Sequence, residues 1–169
     1  MTRHQYVCTG DDAEFAVAFF APGVVALDID APTRHFTDTP AGRATMLDRV
    51  HALAEALSLE FDLGRYWLYE TGHGAHVIFE ETLESWNAVE QVLDAASGRL
   101  GWHEDRGHVG LCQDARRCTL RVGSKPGREW DIDPWTDNSR ISLPDHVREH
   151  DALIAHRLPA IKCGHALAH

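Results

Sequence analysis

The stretch Tyr66-Trp67-Leu68-Tyr69-Glu70-Thr71-Gly72-His73-Gly74-Ala75-His76-Val77-Ile78-Phe79 sets two runs rich in aromatic and β-branched residues on either side of a glycine-rich tetrapeptide. Such side chains favour extended backbone and the glycines let the chain reverse, so the segment is predicted to be a β-hairpin with its turn at 71–74. Gly72 and Gly74 are expected to need positive φ and to let backbone N–H groups come close to a phosphate, which a Cβ would prevent.

About forty residues upstream, Val24-Val25-Ala26-Leu27-Asp28-Ile29-Asp30 is an apolar run that ends in two acids. It reads as a buried strand, preceded by a turn at Pro22-Gly23 and a further apolar run, Phe15-Ala16-Val17-Ala18-Phe19-Phe20, of extended or partly helical character. Residues two apart on a strand share a face, so Asp28 and Asp30 stand side by side. Two such carboxylates repel unless they share a proton or a cation, and an oxygen-only pair suits Mg²⁺ or Mn²⁺ better than Zn²⁺.

Helices are expected around these strands. Thr39 is a candidate N-cap with Pro40 in the first turn, and Leu47, Val50, Leu53, Ala54 and Leu57 recur at helical spacing to about 58. Leu83, Trp86, Val89, Leu93 and Ala96 mark a second amphipathic helix that stops near Gly98. Residues 109–112 and 118–123 read as another strand pair, and Leu143-Pro144 opens a last helix over 145–157. The expected fold is α+β, a mostly antiparallel sheet packed by helices, in one domain over 1–169.

Composition narrows the function. Of 169 residues, 26 are acidic and 16 basic, a formal net charge of -10 that argues against a nonspecific coat on nucleic acid. Charge is sorted along the chain: acids dominate 80–94, while Arg116, Arg117, Arg121, Lys125 and Arg128 form the densest basic stretch. No apolar run approaches the length of a membrane span. The opening Met1-Thr2-Arg3-His4-Gln5-Tyr6 lacks the order of a secretory leader, so the chain is expected in the cytoplasm with Cys8, Cys112, Cys118 and Cys163 reduced.

Taken together, Asp28-Ile29-Asp30, the Thr71-Gly72-His73-Gly74-Ala75-His76 hairpin and the later Leu120-Arg121-Val122-Gly123-Ser124-Lys125 resemble the archaeo-eukaryotic primase (primase-polymerase) superfamily in order, spacing and element type. The resemblance spans about residues 24–134 and leaves the helix and tail at 142–169 outside it. It implies an RRM-like catalytic core that adds nucleotides on a single-stranded DNA template with two Mg²⁺ or Mn²⁺ ions. It also implies catalytic roles for Asp28, Asp30, His76 and a third acid, with Asp28, Asp30 and Asp105 as metal ligands. Thr71, Gly72, Gly74, His76, Arg121, Lys125 and Arg128 would then bind the nucleoside triphosphate. Asp105 is the expected third acid because it precedes the 109–112 strand; Asp114, in a turn, and Asp131 and Asp133, after the basic strand, are the alternatives. Trp130 and Trp135 are candidates for stacking on template bases.

No phosphate loop of the Gly-x-x-x-x-Gly-Lys type, helicase motif or helical accessory region is present in the sequence, so a helicase or accessory protein is an expected partner for priming. His103, His108, Cys112 and Cys118 lack a Cys-x-x-Cys knuckle, and on strands the two thiols need not converge, so Zn²⁺ is not expected there. Cys163, His165 and His169 are assigned to a loose tail. Two other functions use the same residues: a metal-dependent nuclease or phosphodiesterase with water as nucleophile, or a non-catalytic nucleotide- or strand-binding subunit of a replication or defence complex.

Overall fold

The computed structural model describes residues 3–9, 13–31, 36, 38–99, 106–122, 133–134 and 142–155. In chain order the elements are β1 (Arg3–Thr9), β2 (Ala13–Phe19), β3 (Val24–Asp30), α1 (Pro40–Phe61), β4 (Tyr66–Glu70), β5 (Gly74–Thr82), α2 (Trp86–Arg99), α3 (Arg106–Ala115), β6 (Thr119–Arg121), β7 (Asp133–Pro134) and α4 (Asp145–Ala155). The fold is α+β. The strands form two antiparallel sheets, one of order β1-β2-β6 and one of order β3-β5-β4-β7.

The 66–79 hairpin forms as expected, and β5 is the inner strand between β3 and β4. Register sets which residues meet: Asp28 opposes His76, which opposes Tyr69, while Leu27, Val77 and Leu68 make the next row. Successive rows point to opposite faces. One face therefore carries Asp28, Asp30, His76 and Tyr69. The other carries Leu27, Val77, Leu68, Phe79 and Tyr66, and meets α1, whose His51 Nδ1 lies 2.8 Å from the Tyr66 hydroxyl. α2 lies against β3 and α1.

Met46, Leu47, Val50, Leu53, Ala54 and Leu57 form the buried stripe of α1. Burying each larger side chain stabilises the fold by about 1.5–3 kcal/mol, so this stripe and the sheet's apolar rows supply most of the core. Thr39 caps the helix by accepting the Gly42 N–H at 3.0 Å. The helix runs past 58 to Phe61, where Asp62 turns left-handed (φ 53) and the Leu63 N–H donates to the Ser58 carbonyl at 3.0 Å. That is a Schellman end built on an aspartate in place of glycine.

Residues 109–112 are helical, not a strand, because they belong to α3. Its end is of the same kind: Arg116 takes φ 49, and the Arg116 and Arg117 N–H groups donate to the Gln113 and Cys112 carbonyls. Gly107 and Gly110 lower the helix propensity of the segment, and an arginine stands where the stop signal would be glycine. Of the expected strand at 118–123, residues 119–121 form β6, which pairs with β2 and touches β3. β1, which the sequence reading leaves unassigned, pairs with β2 along its whole length.

Gly23 (φ 94) turns β2 into β3, and a Cβ there would lie 2.3 Å from the Leu83 carbonyl oxygen. α4 crosses to the sheet through two tethers. His146 Nε2 donates to the Phe79 carbonyl at 2.7 Å, and the Tyr69 hydroxyl donates to Asp151 Oδ1 at 2.5 Å.

Candidate functional site

Asp28 on β3 and His76 on β5 are register partners, and His76 Nε2 lies 3.5 Å from Asp28 Oδ1. The His76 side chain is 1% exposed and that of Asp28 10%, so this is a nearly dry contact in which charge and dipole act more strongly than at a surface. Asp28 is thus not the solvent-facing end of a strand. Asp30, partly buried, opposes Gly74 on the same face.

Beyond His76 in the same row, Tyr69 is buried and bonds Asp151 of α4. His150 of α4 fits between them: its ring is edge-on to Tyr69 with centroids 4.8 Å apart, edge-on to His76 at 6.1 Å, and stacked on Phe20 at 6.0 Å. These separations are those of favourable aromatic pairs. Burial pushes the His150 imidazole below its ordinary pKa; Asp151, with Oδ1 3.7 Å from Nδ1, works the other way, and His76 adds to the lowering. His150 is therefore neutral at pH 7. Among the described residues, neither ring nitrogen of His150 nor Nδ1 of His76 has a hydrogen-bond partner.

The hairpin tip differs from expectation. Among the described residues, positive-φ glycines occur at 23 and 64, and neither Gly72 nor Gly74 is one of them. Gly74 is needed for another reason: a Cβ would lie 1.9 Å from the carbonyl oxygen of Ile29, so it is the β3 backbone that approaches here. Thr71 is buried and its N–H donates to the Gly74 carbonyl at 2.9 Å, so this donor is spent within the turn. The Ala31 N–H donates to the His73 carbonyl at 2.8 Å, which fastens the end of β3 to the turn and leaves Gly72 and His73 as its exposed tip.

Arg121 ends β6, opposite Val17 and half-buried, in the sheet that touches β3. Asp114 is exposed on α3, in a helix and not in a turn. Asp133 pairs with Glu70 on β7, at the opposite edge of the sheet from β3. Three strand spacings place its backbone about 14 Å from that of β3, which removes it as an immediate neighbour of Asp28. Asp105, Lys125, Arg128, Asp131, His103, Trp130, Trp135, Cys163, His165 and His169 lie outside the described residues.

Cys112 and Cys118 are buried and not disulfide-bonded, and they do converge, because the helical end of α3 folds Cys112 back toward β6. A hydrogen bond with Cys112 and burial hold the Cys118 thiol well above its usual pKa, and Cys112 Sγ sits 3.6 Å from Thr119 Oγ1.

The carboxylate pair suits Mg²⁺ or Mn²⁺ by donor chemistry. Among the described residues, no group of three or more His, Cys, Asp and Glu side chains is placed to hold an ion, and the expected third ligand lies outside them. Tyr69, His150 and Asp151 are the site residues that sequence reasoning missed. Their signal was modest: His150 shares the helical stripe of Val147 and Ile154, a histidine where an apolar residue is expected.

No protein-family model, no curated protein and no solved structure matches this chain. No described helix is long and apolar enough to cross a membrane.

Proposed function

We propose that the chain is a metal-dependent nucleotidyltransferase of the primase-polymerase type, with the β3-β5-β4-β7 sheet as its RRM-like platform. The observation that carries this reading is the Asp28–His76 contact across β3 and β5, with Asp30 two residues on along the same face. Strand register brings together two segments more than forty residues apart, and that proximity supports the reading.

Asp28 and Asp30 would hold Mg²⁺ or Mn²⁺, which would acidify the primer hydroxyl and neutralise charge on the triphosphate. The protein's own contribution is positional. With hydrogen on Nε2, His76 donates toward Asp28 and restrains its carboxylate, and near-complete burial excludes the water that would screen the pair. Phosphate contacts would come from the exposed Gly72–His73 tip and from Arg121, with Lys125 and Arg128 following in sequence. Template DNA, nucleoside triphosphates and a helicase or accessory protein are the partners this function needs.

The test is incorporation of labelled nucleotides on primed and unprimed single-stranded DNA with Mg²⁺ and Mn²⁺. Extension that requires triphosphate is expected. Shortening of the oligonucleotide without added nucleotide would turn the reading to a phosphodiesterase, and nucleotide binding without turnover, with accessory proteins present, to a binding subunit.

A further inference from the structure

The helix that roofs the site lies outside the segment that carries the resemblance. We infer that α4 is part of the site, with His150 as the positioning residue that holds the His76 ring against Asp28; this rests on the proposed function for its catalytic consequence. His150 is fully buried, and among the described residues neither ring nitrogen makes a hydrogen bond, although Asp151 Oδ1 lies 3.7 Å from Nδ1. Burying an imidazole in this way costs stability, and an apolar ring of similar shape would fill the space at lower cost. What His150 supplies is a wall. Its ring meets the edge of His76 at 6.1 Å on one side, and Phe20 and Tyr69 hold it at 6.0 and 4.8 Å on the others.

The wall is itself held. Asp151, the next residue, accepts the Tyr69 hydroxyl, and His146 binds the Phe79 carbonyl one turn earlier, so α4 is pinned to both strands of the hairpin. Tyr69 neighbours His76 in the sheet, which closes a ring of contacts from Asp28 through His76 and His150 to Asp151 and back to Tyr69. Rotating His76 away from Asp28 requires His150, and with it α4, to yield. Fixing the rotamer of a group that orients a catalytic carboxylate matters because small misplacements at a reacting centre are costly in rate.

The experiment compares His150→Ala, His150→Phe and Tyr69→Phe in the full chain. The readouts are the imidazole nitrogen resonances of His76 by long-range ¹H–¹⁵N NMR, assigned with His76→Gln, together with kcat and KM for nucleotide incorporation. His150→Ala should shift or split the His76 resonances and lower kcat roughly tenfold to a hundredfold with little change in KM. His150→Phe should restore both and raise the melting temperature. A folded His150→Ala protein with unchanged His76 resonances overturns the inference, as does a His150→Phe protein that fails to restore them. Should His150→Ala not fold, Tyr69→Phe loosens the roof without a cavity. Shifted His76 resonances there support the inference; unchanged resonances, or faster incorporation, overturn it. If the native protein incorporates nothing while the resonances respond as expected, the proposed function fails and the positioning of His76 stands.

Discussion

Gly74 sits where β5 packs tightly against β3, and a methyl group placed on it would lie 1.9 Å from a backbone oxygen that cannot rotate aside. Gly74→Ala must therefore push the two strands apart at the Asp30–Gly74 pair, two register steps from Asp28 and His76. The expected cost is about 3 kcal/mol, the upper range of overpacking a fitted interior, read as a lower urea midpoint; a midpoint equal to the native one would show that the strands yield freely. A glycine in this hairpin was legible in the sequence, but its reason was not, since a clash with a distant strand is set by register. Asp28, Asp30 and His76 were legible as a pattern because alternation and the turn glycines constrain them locally. His150 was not, because nothing in its own segment says which strand its ring will meet.

At the scale of elements, the hairpin's outer end is fastened by Arg65 and Glu80. The Arg65 N–H donates to Glu80 Oε2 at 2.9 Å and its guanidinium bonds both carboxylate oxygens. Those hydrogen bonds lower the Glu80 pKa from 4.5 to about 2. Because the folded value lies below the unfolded one, the pair's contribution is fully present above about 4.5 and is lost as pH falls toward about 2. With side chains 50% and 24% exposed, water screens the pair and its contribution to stability is small. The melting-temperature gap between native and Glu80→Gln protein should thus narrow across that interval; a constant gap would assign the effect to something other than ionisation. Removing the α1 cap by Thr39→Ala should cost about 1 kcal/mol at all pH values, measured by the same melts. The start of α1 was legible because threonine and proline announce it. The ends of α1 and α3 were not, since aspartate and arginine occupy the left-handed positions where glycine would have signalled a stop.

Across the whole molecule, β3 is where the two sheets adjoin, through its contact with β6, and where the candidate carboxylates stand. Sequence periodicity foretold an antiparallel α+β chain but not the insertion of β5 between β3 and β4, nor the pairing of β1 with β2, because pairing partners depend on closure over long separations. Nor did it foretell α4 over the site, whose tethers join residues 67 and 82 apart in the chain. The proposed nucleotidyl transfer would depend on a carboxylate that is 10% exposed and faces His76. Asp28→Asn keeps the shape and removes the charge. Comparing its rate of labelled-nucleotide incorporation with that of the native protein, on primed single-stranded DNA with Mn²⁺ and with both proteins shown folded, tests the assignment most directly. A loss of roughly 100-fold or more is expected, the scale of removing a charge-stabilising group from a preorganised site; equal rates in the two proteins would contradict it.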